Sequence, residues 1–109
     1  MSTVGNPDST WTTRGTTIWL ELKVVRKKYE EISKTRNYTV QSEVMKKLFR
    51  CGKAAYIVFY EPTDMIEVWF PDELAQKVKD ENSAVNPVYC SERRTPDNVV
   101  EFIFTRLLG

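Results

Sequence analysis

One run, Thr16-Thr17-Ile18-Trp19-Leu20-Glu21-Leu22-Lys23-Val24, constrains the fold of this chain more than any other. Ile18, Leu20, Leu22 and Val24 alternate with Trp19, Glu21 and Lys23, and a strand sends alternate side chains to opposite faces. Glu21 and Lys23 therefore project side by side from a strand rich in apolar residues. Charges are costly to bury unless they are paired or bind something. The pair is either an ion pair decorating a solvated face or part of a site.

At 109 residues, 41% hydrophobic and 28% charged, the chain has the size and composition of a single globular domain spanning 1–109. It opens without the basic start and apolar core of a signal peptide, and no apolar run reaches bilayer length, so no membrane association and a cytoplasmic setting are expected. Cys51 and Cys90 are too few and too far apart for a disulfide framework, and both are expected to be reduced, at a helix end and in a strand. The chain has no His, which excludes Ser-His-Asp and Cys-His hydrolases in their usual form and narrows any zinc site. Catalysis would rest on carboxylates, lysine, tyrosine or a metal held by oxygen.

Net charge is only +1, but its distribution is uneven. Between Lys23 and Lys53 stand ten basic residues (Lys23, Arg26, Lys27, Lys28, Lys34, Arg36, Lys46, Lys47, Arg50, Lys53) against Glu30, Glu31 and Glu43. Such a segment beside a candidate site suggests an anionic polymer as ligand, although a solvated lysine-rich helix face gives the same pattern.

Along the chain, Asp8–Thr13 and Thr16–Val24 read as a hairpin turning at Arg14-Gly15, with Thr13 opposite Thr16 and Asp8 opposite Glu21 within about one residue of slip. Residues 25–38 lack an apolar period and read as a long basic loop, in which Tyr29 and Tyr38 are placed to stack on nucleic acid or to anchor the loop. Thr39 caps a helix over Val40–Cys51, closed by Gly52, with Val40, Val44, Leu48 and Cys51 on one face. Ala54–Tyr60 is a buried central strand, Glu61–Asp64 a turn, Met65–Phe70 a strand and Pro71–Lys79 a helix. Trp69 and Phe70 suit a core or a dimer interface. An edge strand over Val85–Ser91 and a last helix opened by Thr95-Pro96 complete a mixed α/β order, that helix presenting Val99, Val100, Ile103, Phe104, Leu107 and Leu108.

This layout gathers Asp8, Glu21, Lys23 and Gln41. Two carboxylates on paired strands suit Mg²⁺, and a neighbouring lysine suits activation of water and stabilisation of a charged phosphate. Gly5-Asn6-Pro7-Asp8, a hairpin, Trp19-Leu20-Glu21-Leu22-Lys23, Gln41 in the next helix, and Gly52 before an apolar strand together resemble the PD-(D/E)xK nuclease superfamily. Within it the pattern is most similar to the small VRR-NUC nucleases and, more distantly, to Holliday junction resolvase-like endonucleases. The resemblance covers about residues 5–60.

It implies a restriction-endonuclease-like mixed β-sheet flanked by helices, and a DNA endonuclease with branched or junction DNA among its candidate substrates. Asp8, Glu21, Lys23 and Gln41 would be its catalytic residues, with Mg²⁺ or Mn²⁺ held by Asp8, Glu21 and the carbonyl of Leu22. Arg26, Lys27, Lys28, Lys34, Arg36, Lys46 and Lys47 would bind the DNA backbone without reading sequence. A homodimer is expected, because cutting two strands takes two sites. The alternative is a non-catalytic nucleic-acid-binding or protein-interaction module on the same fold. One departure is plain: family members usually begin with a helix that often adds an acid, and only seven residues precede Asp8. The last helix, with Glu101, or a second subunit would then take that place.

Overall fold

The computed structural model describes residues 9–13, 15–51, 53–92 and 96–107. Asp8, Arg14, Gly52, Thr95 and Leu108 lie outside them, as do the expectations attached to those residues. Strand β1 (Ser9–Thr13) and strand β2 (Thr16–Val25) pair antiparallel, with Thr13 opposite Thr16 and Ser9 opposite Leu20. Between them Gly15 has φ 78°, a left-handed conformation that costs glycine nothing.

The segment after β2 is not the structureless loop its charge suggests. Tyr29–Lys34 is a 3₁₀-helix, and Tyr29 and Ile32, three residues apart and so on one side of such a helix, are both buried. Glu31 Oε1 accepts the backbone N–H groups of Lys27 (2.5 Å) and Lys28 (2.6 Å), closing the helix start. Asn37 at φ 62° then turns the chain into helix α1 (Tyr38–Cys51). Thr39 consequently lies inside this helix rather than capping it.

The buried face of α1 also differs from the expected one. Tyr38, Gln41, Ser42 and Met45 face inward, with Leu48 and Phe49 packed beside them, while Val40 is 48% exposed and Cys51 is exposed. Aligning the helix on its β-branched residues rotates it away from the large side chains that seal the core. Strand β3 (Lys53–Tyr60) runs parallel to β2, so its connection through α1 is a crossover.

A single 3₁₀ turn (Glu61–Thr63) leads to strand β4 (Met65–Trp69), antiparallel to β3. Helix α2 (Pro71–Lys79) follows, with Pro71 at its first position. Strand β5 (Tyr89–Glu92) begins four residues later than the edge strand read from the sequence, because Pro87 has no N–H for the ladder. Only Val88, by donating to the Val68 carbonyl at 2.8 Å, anticipates the pairing. Helix α3 (Pro96–Phe102) continues into a π-helical turn over Ile103–Leu107.

Among the described residues the five strands form one sheet in the order β1-β2-β3-β4-β5, parallel only between β2 and β3. One face carries Ala54, Tyr56, Val58 and Trp69, covered by the 3₁₀-helix, α1 and α2 through Tyr29, Ile32, Met45, Leu74 and Val78. The other carries Ile18, Leu20, Ala55 and Val68 beneath Val99 of α3 and Ile103 of the π-helical turn. Trp69 is core, at 1% exposure, and Phe70 packs on Phe49 with ring centroids 4.8 Å apart. The protein is thus α/β, a mixed sheet flanked by helices. No helix among the described residues is long and apolar enough to cross a membrane.

Candidate functional site

Strand alternation places Glu21 and Lys23 on the face covered by α1, and there they are buried, at 4% and 8% exposure. Lys23 Nζ stands 3.7 Å from Glu21 Oε2 and donates to Thr35 Oγ1 at 3.4 Å. Thr35 in turn donates to the Ile32 carbonyl at 2.6 Å. The end of the 3₁₀-helix thereby fixes the ammonium, and the pair is no solvated surface bridge.

Across the parallel ladder, Glu21 lies opposite Tyr56 and Lys23 opposite Val58. The Tyr56 side chain is fully buried, and its hydroxyl has no hydrogen-bond partner among the described residues. Burial first, then the nearby Tyr38 and Glu21, push its ionisation well above the ordinary phenol value. Gln41, one turn after Tyr38 on the buried side of α1, is 8% exposed, and its Oε1 is likewise without a partner among the described residues. Beside this cluster a groove of about 290 Å³ opens between α1 and α2, lined by Tyr38, Ser42, Val78 and Lys79 among others.

The sheet therefore puts Glu21 and Lys23 in contact and brings Tyr56 beside them, while Gln41 faces the same layer. The Leu22 side chain points to the opposite face and is 56% exposed. Asp8 is not among the described residues, and those that are contain no cluster of three acidic or thiol groups able to hold a metal. Helix α3 covers the face opposite Glu21, so Glu101 lines a groove with Tyr89 and Arg106 and does not join the site. An oxygen-only donor set with a buried carboxylate and an amide oxygen lacking a partner fits a hard, hydrated divalent cation.

The basic residues fall into two groups. Arg26, Lys27, Lys28, Lys34 and Arg36 are exposed around the 3₁₀-helix, Arg26 pairing loosely with Glu61 at 3.9 Å. Lys46, which pairs with Glu43 at 3.6 Å, and Lys47 lie farther along α1, roughly 12 Å from its first turn at the usual rise per residue. Tyr29 and Tyr38 are buried, at 7% and 8%, and cannot stack on a nucleic acid as their basic neighbours suggested.

Tyr29 instead meets a buried carboxylate that sequence reasoning missed. Its hydroxyl lies 2.8 and 2.9 Å from the two oxygens of Glu67, and Trp69 Nε1 donates to Glu67 Oε1 at 2.9 Å. The Tyr29 ring stacks on Tyr60 at 4.9 Å, and its backbone N–H donates to the Glu81 carboxylate. The available signal was the alternation in Met65-Ile66-Glu67-Val68-Trp69, which sets Glu67 and Trp69 on one face. This network pins the basic segment to the sheet. Compared with family models, with curated proteins and with solved structures, the chain matches none.

Proposed function

We propose that the protein is a Mg²⁺- or Mn²⁺-dependent endonuclease that hydrolyses DNA phosphodiester bonds. Branched or junction DNA is the proposed substrate class, and the proposed acting form is a homodimer on a restriction-endonuclease-like sheet. The observation that carries this reading is the buried Glu21–Lys23 pair at 3.7 Å, on the layer where the Gln41 amide oxygen and the Tyr38 and Tyr56 hydroxyls have no partner among the described residues. Glu21, with Asp8 and the Leu22 carbonyl, would hold the cation, and Asp8 stands one residue before Ser9, the partner of Leu20. The bound cation would supply Lewis acidity and a more acidic water. Lys23 orients that water and stabilises charge on the phosphate, while Gln41 Oε1 accepts a hydrogen bond from the water. Water oxygen bonds to phosphorus and releases a proton to solvent, the bond to the leaving oxygen breaks, and the leaving oxygen takes up a proton from solvent.

A buried pair of this kind also serves a fold with no chemistry, and that alternative is a binding or interaction module. Purified protein is to be incubated with plasmid and with four-way junction DNA in Mg²⁺, Mn²⁺ or chelator. Metal-dependent cleavage is expected, falling about 100-fold or more in Glu21→Gln and in Lys23→Arg, which keeps the positive charge. Binding without cleavage would leave the nucleic-acid-binding module, and neither would leave the protein-interaction module. In the same binding assay Lys27→Ala with Lys28→Ala should flatten the salt dependence by about one to two counterions; an unchanged slope would remove these lysines from the interface.

A further inference from the structure

We propose that the Tyr56 hydroxyl and the Gln41 amide oxygen form a water seat beside Glu21, holding a hydration-shell water of the cation assigned to that carboxylate. This rests on the function proposed above. Tyr56 occupies the position opposite Glu21 in the parallel ladder and is fully buried, yet its hydroxyl has no partner among the described residues. Gln41 presents a second buried oxygen in the same condition from α1. Buried polar groups are almost always satisfied, and these two, with the Tyr38 hydroxyl as a third against the same layer of the core, mark a place for something that is not protein. An amide oxygen only accepts, while a phenol donates once and also accepts, so one water satisfies both. Buried waters take two to four such partners. Mg²⁺ binds with several of its waters retained, so groups that grip those waters set affinity without touching the ion. Tyr56 is in this sense a positioning residue.

The test is Mn²⁺ binding to the full chain without DNA, by titration calorimetry and by the loss of the free-ion paramagnetic resonance signal. Wild type, Tyr56→Phe, Gln41→Met and Glu21→Gln are compared, with the metal-free melting temperature of each. Tyr56→Phe is expected to weaken Mn²⁺ binding about 10-fold, within the range for groups that orient a metal's ligands. Its metal-free melting temperature is expected to match or exceed wild type, because the change removes a hydroxyl with no protein partner. Gln41→Met should weaken binding similarly, and Glu21→Gln should abolish it. If wild type binds Mn²⁺ and Tyr56→Phe binds it equally well, the water seat is wrong and the Glu21 site stands. If Tyr56→Phe melts lower without metal, its hydroxyl serves the fold and the proposal falls. If wild type takes up no Mn²⁺ at millimolar concentration, the seat and the metal site fail together.

Discussion

Lys23→Met is expected to lower stability by about 3 kcal/mol, the scale on which breaking a buried ion pair is felt. Methionine keeps most of the lysine's length, so the loss is electrostatic rather than a cavity. Glu21 stays at 4% exposure while the ammonium 3.7 Å away is gone, and Thr35 loses its donor as well. The double variant Glu21→Gln with Lys23→Met removes both charges and should recover to within about 1 kcal/mol of wild type, since well-packed neutral replacements of buried pairs are often close to neutral. Urea unfolding of the three proteins at neutral pH decides the matter. A single-variant loss below about 0.5 kcal/mol would mean that the charges are solvated in solution, since exposed pairs contribute no more than that order.

The second large effect is alkaline. Burial is the leading cause that raises the phenols of Tyr29, Tyr38 and Tyr56 above their ordinary value of 10.0. For each, the folded protein keeps its proton at a pH where the unfolded chain releases it. Stability is therefore intact below pH 10 and falls as the unfolded phenols ionise. Each such group costs at most about 1.4 kcal/mol per pH unit above that point, so the three together remove up to about 4 kcal/mol between about pH 9 and pH 11. Melting temperature followed over that range checks this, and Tyr56→Phe should make the decline shallower by about one third. A flat profile would show that these phenols ionise in the folded protein.

The strands could be read because their signals are local. A period of two and the Gly15 turn set the β1–β2 register at Thr13 and Thr16, and the apolar run at Ala54 marked the central strand. The basic segment misled because charge dominated it, yet Tyr29 and Ile32 carry the three-residue spacing of the helix they form. Helix α1 was placed but rotated: Val40 is a good strand former on a solvated side, and the inward positions belong to Tyr38, Gln41 and Met45. Glu21 and Lys23 were found as neighbours through periodicity alone. Tyr56 beside them could not be found that way, because it depends on pairing across strands distant in sequence, and for the Glu67 network alternation reveals Glu67 and Trp69 on one face but not the Tyr29 that meets them from the 3₁₀-helix.

The parallel pairing of β2 with β3 has a kinetic consequence. Strands β3 and β4 are joined by one short turn, whereas Ile18 meets Lys53 only after the whole basic segment and α1 have been gathered between them. Loop-closure entropy rises with that separation, so the β3–β4 hairpin pairs early and β2 docks late, carrying its two charges into the core near the end of folding. Pulse-labelled amide exchange should accordingly protect Val58, whose N–H faces β4, before Glu21 and Lys23, whose N–H groups face β3, and simultaneous protection would contradict this order. Until β2 docks, the uncovered flank of β3 is a strand edge of the kind that neighbouring chains pair with.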